Sequence, residues 1–62
     1  MLIRKIEVFL RRTRMPPTRF GRLAARDPRL VFDLRGGREP RAVTERRVEH
    51  FMNAYDEKHD AH

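Results

Sequence analysis

Proline and glycine divide the 62-residue chain into four short segments, and this division is the strongest constraint on its fold. Pro16-Pro17, Asp27-Pro28 and Gly36-Gly37 each interrupt a stretch of helical periodicity. Because a chain this short buries only about 60% of its unfolded surface, it has room for one domain and no second. The pattern predicts a small four-helix, all-α domain over residues 1–55 and a frayed or disordered tail over residues 56–62.

Each segment has one apolar face at helical spacing. The predicted helices are Leu2–Arg14, Thr18–Arg26, Asp27–Arg35 and a fourth that begins near Ala42. The residues expected to be buried are Leu2, Ile3, Ile6, Phe9 and Leu10 in the first helix, Phe20, Leu23 and Ala24 in the second, Leu30, Val31 and Leu34 in the third, and Val48, Phe51, Met52 and Tyr55 in the fourth. Val8 is expected on the polar side of its helix.

The ends of the third helix carry recognisable signals. Asp27 is expected to cap the helix, with Pro28 at the first helical position, where its missing N–H costs least. Gly36-Gly37 offers a left-handed C-cap.

The composition argues against an enzyme. The chain has no Cys, which excludes a disulfide, a thiolate zinc site and a cysteine nucleophile, and it has no Ser for a serine triad. A group of metal-ligating residue types lies near the end of the chain, at Glu57, His59, Asp60 and His62. Because this segment is terminal and expected to be frayed, we expect it to bind no metal. We expect no catalysis, no cofactor, no metal and no small-molecule effector. No apolar run exceeds three residues, so we expect no membrane association. The expected location is the cytoplasm.

The charge distribution favours a polyanion as partner. The net charge is +6, with 14 basic and 5 acidic residues in positions 1–47 and a net negative remainder. Thirteen of the 15 basic residues are Arg, whose planar fork binds phosphate and guanine edges bidentately. A GC-rich genome would produce the same bias toward Arg.

Two short helices separated by a tight turn have the layout of a helix-turn-helix. Such helices cross closely, and Phe20-Gly21 supplies a large and a small residue where the first helix would meet the second. Together with Ala24, Asp27-Pro28, Val31, Leu34 and Gly37, this makes the stretch 18–40 resemble the phage-repressor/Cro-like (XRE) helix-turn-helix family, in its short alphaproteobacterial form. The resemblance implies a lambda-repressor-like fold and sequence-specific binding of double-stranded DNA by a small bacterial or phage transcription regulator, expected to be a repressor.

In this fold the helix 27–35 lies in the major groove, where outward side chains reach base edges. The expected base contacts are Arg29, Phe32 and Asp33. Arg29 suits guanine, and Asp33 either orients Arg29 or accepts from cytosine. Phe32 has three possible roles: a contact in the groove or with a thymine methyl group, self-association, or the core. The expected phosphate contacts are Thr18, Arg19, Arg22, Arg26, Arg35, Arg38 and Arg41.

Other partners stay open at this point. A homodimer on a two-fold site and a protein co-regulator are both compatible with the sequence. The alternative function is a protein-interaction adaptor or a non-specific nucleoid-associated DNA-binding protein. Sequence dependence separates these from a regulator, which prefers its site over random duplex by roughly 10³-fold or more. Either form of DNA binding places the protein at the nucleoid.

Overall fold

The computed structural model of the chain describes residues 1–59, which form four helices and no strand. The helices are α1 (Leu2–Thr13), α2 (Pro17–Ala25), α3 (Leu30–Arg35) and α4 (Ala42–His59). The small four-helix, all-α domain predicted from the sequence is confirmed. None of these helices is long and apolar enough to cross a membrane. Asp60 and His62, which the sequence groups with Glu57 and His59 in an imitation of a metal cluster, lie outside the described part of the chain.

The core forms where the apolar faces of the four helices meet. α2 packs against both α3 and α4, and α3 packs against α1. Phe9 of α1 lies at the centre, with its ring in edge contact with Phe20, Phe51 and Tyr55 at centroid distances of 5.4, 6.0 and 5.2 Å. The buried apolar residues are Leu2, Ile6, Phe9, Leu10, Phe20, Ala24, Leu30, Val31, Leu34, Val48 and Met52. All eleven were expected in the core.

Leu23 is the exception to the predicted core. It was expected to be buried, but 51% of its surface is exposed. The buried face of α2 is made by Phe20, Gly21 and Ala24. Leu23 lies on the other side of the helix, where its neighbours one turn away are Arg19 and Arg26. The prediction included Leu23 for its apolar side chain, whereas the structure buries Gly21 beside Phe20 and Ala24.

The third helix begins later than the sequence predicts. α3 starts at Leu30 instead of Asp27, and the three residues before it form a turn closed by a hydrogen bond from Leu30 N–H to the Asp27 carbonyl (3.1 Å). Asp27 still caps, because its Oδ1 accepts from the Arg29 backbone N–H at 3.0 Å. This bond caps the turn at residues 27–30 and not the first turn of an α-helix. Arg29 therefore precedes α3, whereas the predicted helix Asp27–Arg35 would include it.

The end of α3 matches the expected glycine cap. Gly37 has φ +98, a left-handed conformation that a residue with a Cβ adopts only with strain. Gly37 N–H donates to Leu34 O at 3.1 Å and Arg38 N–H donates to Asp33 O at 3.1 Å. These two bonds form a Schellman motif, which satisfies carbonyls at the end of α3 and turns the chain toward α4.

α4 extends beyond the expected end of the domain. The sequence analysis assigned residues 56–62 to a frayed tail, but the helix continues to His59. Asp56 accepts a hydrogen bond from the Arg12 guanidinium at 2.7 Å, which joins this turn of α4 to α1. Tyr55 packs against the core at the same level. The contact of Asp56 with α1 joins residues that are far apart in the sequence, so a local pattern does not reveal it.

Candidate nucleic-acid interface

α2 and α3 with the turn between them form a helix-turn-helix unit, residues 17–35. The turn is four residues long and begins at Arg26, which has a left-handed conformation with φ 55. The Asp27 N–H donates to the Gly21 carbonyl at 3.0 Å and thereby holds the turn against the middle of α2. The orientation of the unit is fixed from outside as well, because α2 packs on α4 and α3 packs on α1.

Gly21 lies at the point of closest approach within the unit. A Cβ at this position would overlap the Asp27 carbonyl oxygen and would lie 3.1 Å from the Asp27 carbonyl carbon and 3.4 Å from Leu30 Cβ. The obstacle is backbone, which cannot rotate away as a long side chain can. The prediction that Gly21 lies where the two helices meet is confirmed.

The outward face of the unit carries the predicted base contacts. Phe32 is 50% exposed and lies opposite the buried Leu30, Val31 and Leu34, so its alternative role in the core was wrong. Arg29 is exposed at the N-terminal entrance of α3, and Asp33 is partly exposed. All three side chains are therefore open to solvent, at least in part, at or just before α3.

Most of the predicted phosphate contacts are exposed and unpaired. Within the described residues, neither a hydrogen bond nor an ion pair joins the guanidinium groups of Arg19, Arg22, Arg26 and Arg41 to another group. The same holds for the guanidinium of Arg29, which is a predicted base contact. Thr18 is also exposed, at the first turn of α2. A free guanidinium on the surface retains its full capacity for bidentate binding. The structure thus presents a surface of available cations on α2 and around α3.

Asp33 has a different partner from the one expected. The sequence predicts that Asp33 orients Arg29 or accepts from cytosine, and in the structure its Oδ2 accepts from Nη1 of Arg38 at 3.4 Å. The reason is the Schellman motif, which brings the backbone of Arg38 back to the Asp33 carbonyl. Asp33, Arg38 and Arg41 line one shallow cleft beside α3. Within the described residues, the guanidinium of Arg29 therefore has no acidic partner.

Arg35 is also engaged, by a residue that the sequence analysis did not single out. Its Nε and Nη2 donate to the two carboxylate oxygens of Glu7 on α1, each at 2.8 Å. This hydrogen bond lowers the pKa of Glu7 below its ordinary value, against the opposing effect of desolvation, and the same bond raises the pKa of Arg35. The guanidinium also lies over the Phe32 ring, 5.9 Å from its centroid. The 28 positions between Glu7 and Arg35 leave no local pattern that would reveal the pair.

No three His, Asp or Glu side chains within residues 1–58 lie close enough together to hold a metal ion. Searches of protein-family models, of curated proteins and of solved structures find no match to this chain.

Proposed function

We propose that this protein binds double-stranded DNA in a sequence-specific manner, as a small bacterial or phage transcription regulator, with α3 and the turn before it in the major groove. The observation that carries the proposal is the outward face of the helix-turn-helix unit. It presents an unpaired Arg29 and a half-exposed Phe32, with unpaired arginines on the adjoining α2. The occupied promoter would exclude polymerase, so the expected regulation is repression.

Affinity would come mainly from phosphate contacts. Arginines that neutralise phosphates release condensed counterions, and this gain does not depend on sequence. The proposed contacts are Thr18, Arg19, Arg22, Arg26, Arg38 and Arg41. Arg35 is left out of these proposed phosphate contacts, because Glu7 occupies its Nε–Nη2 edge.

Specificity would come from the entrance and outer face of α3. Recognition helices approach base edges with their N-terminal residues, which is where Arg29 lies. An unpaired guanidinium donates bidentately to O6 and N7 of guanine. Phe32, on the same side of α3, suits the methyl group of a thymine. Asp33 remains a proposed acceptor for a cytosine amino group, although Arg38 shares its carboxylate.

The test begins with selection of bound duplexes from a random pool at fixed salt. Wild type, Arg29→Ala and Arg22→Ala are then titrated against the selected site and a scrambled duplex. Arg29→Ala is expected to cost about 1–3 kcal/mol on the selected site only, because a base contact is lost. Arg22→Ala, the matched control from α2, is expected to weaken both duplexes alike.

Other results would point to other functions. Enrichment of no sequence, with binding to every duplex, would favour a non-specific nucleoid-associated protein. An absence of duplex binding would favour a protein-interaction adaptor. If Arg29→Ala weakens both duplexes equally, Arg29 contacts phosphate and not guanine.

A further inference from the structure

Glu7 holds the guanidinium of Arg35 in a defined plane. Both carboxylate oxygens accept from one edge of the fork, each at 2.8 Å, and a bidentate pair fixes orientation as well as distance. Glu7 is on α1 and Arg35 is the last residue of α3, so the pair spans two helices that also pack through their apolar faces. The plane of the Arg35 guanidinium is therefore set by two helices that pack against each other, and not by the Arg35 side chain alone.

The same guanidinium covers one face of Phe32. Its central carbon is 5.9 Å from the ring centroid, within the range of a cation–π contact, and the two residues are three apart on α3. Phe32 has no other ring contact within the described residues, and half of its surface is exposed. Arg35 thus lies against one face of this exposed ring and limits the orientations open to it on that side.

We propose that Glu7 is a positioning residue for DNA recognition: through Arg35 it fixes the Phe32 ring in the orientation that contacts a thymine methyl group. This inference rests on the proposed function. It assigns Arg35 to orienting Phe32 instead of binding phosphate, because the Glu7 carboxylate neutralises its charge and occupies its Nε–Nη2 edge. It also assigns a part in specificity to α1, a helix outside the helix-turn-helix unit.

An effect on recognition can be separated from an effect on folding. Glu7 and Arg35 are both substantially exposed, with side-chain exposures of 35% and 41%. Exposed ion pairs contribute little to stability. Replacement of Glu7 should therefore leave the fold intact while it releases Arg35 from its fixed plane.

The experiment compares thymine with deoxyuridine, which lacks only the methyl group, at each thymine of the selected site. Wild type is expected to lose about fourfold in affinity at one position, the ratio that corresponds to burial of a single methyl-sized group. Phe32→Ala should remove this dependence. Glu7→Gln and Arg35→Lys, which cannot form the same fork, should reduce the ratio below about twofold. Glu45→Gln, at an exposed and unpaired acidic residue in the first turn of α4, is the matched control and should keep the full ratio.

The ratio is measured within each variant, so a general change in affinity from the lost negative charge cancels. A second readout uses the free protein: Glu7→Gln should shift the NMR signals of the Arg35 Nε–H and of the Phe32 ring, and Glu45→Gln should not.

A full ratio in Glu7→Gln, or unchanged NMR signals, would overturn this inference and leave the proposed function intact. The same holds if wild type binds its selected site without dependence on any methyl group. Failure to select any site would overturn both.

Discussion

Gly21→Ala is the substitution that tests the geometry of the helix-turn-helix unit most directly. The new methyl group would overlap the Asp27 carbonyl oxygen, so the turn must move away from α2. That movement strains two hydrogen bonds, from Asp27 N–H to Gly21 O and from Leu30 N–H to Asp27 O. At about 1 kcal/mol per bond, plus roughly 1–3 kcal/mol for overpacking, the cost exceeds the gain of about 1 kcal/mol in helix propensity. We expect a net loss of about 2–4 kcal/mol.

The measurement is thermal unfolding followed by circular dichroism. In a domain of this size each 1 kcal/mol lowers Tm by about 4–8 °C, so the effect is well resolved. Gly36→Ala is the matched control. Gly36 has φ −77, and a Cβ there would meet only carbonyl oxygens at ordinary distances of 3.4 and 3.5 Å. Its Tm should stay level or rise slightly. If Gly21→Ala is as stable as Gly36→Ala, the close approach of the turn to α2 is refuted.

Three further predictions concern the cap, the ion pair and the charged surface. Gly37→Ala should cost about 1–2 kcal/mol in chemical denaturation, because an alanine at φ +98 is strained; a neutral result would contradict the Schellman cap. The pKa of Glu7 is lower in the folded chain than in the unfolded chain, so its contribution to stability is present at neutral pH and is lost as pH falls through the folded value. The Tm of wild type should therefore exceed that of Glu7→Gln at pH 7 and converge with it in acid, and a constant gap would contradict the linkage. For DNA binding, five arginines on phosphates predict a slope of about −4.5 in log affinity against log salt, and a flat plot would exclude them.

Local signals in the sequence predicted the four helices and some of their limits. Pro17 opens α2, and Gly37 ends α3 with the left-handed conformation that glycine favours. These signals work because they act over one or two residues. The start of α3 was misplaced because Asp27 caps a turn with the same side-chain bond that it would use to cap a helix.

Side-chain contacts between helices were not predictable from local patterns. Glu7 and Arg35 are 28 residues apart, and Arg12 and Asp56 are 44 apart. Periodicity places such residues on an outer face but does not say which outer faces adjoin. For the same reason the exposure of Phe32 was predicted correctly, while its contact with Arg35 was missed.

The ring cluster around Phe9 has a consequence for the stability of the proposed DNA-binding surface. Its four rings come from three helices, α1, α2 and α4, and edge contacts join them. α2 has nine residues and α3 has six, lengths at which an isolated helix is marginal in water. Neither helix is expected to persist without the shared rings, so the domain should fold in a single cooperative, all-or-none step. The proposed binding then requires all four helices, and we expect that a protease that cuts only within α4 would abolish it without touching α2 or α3.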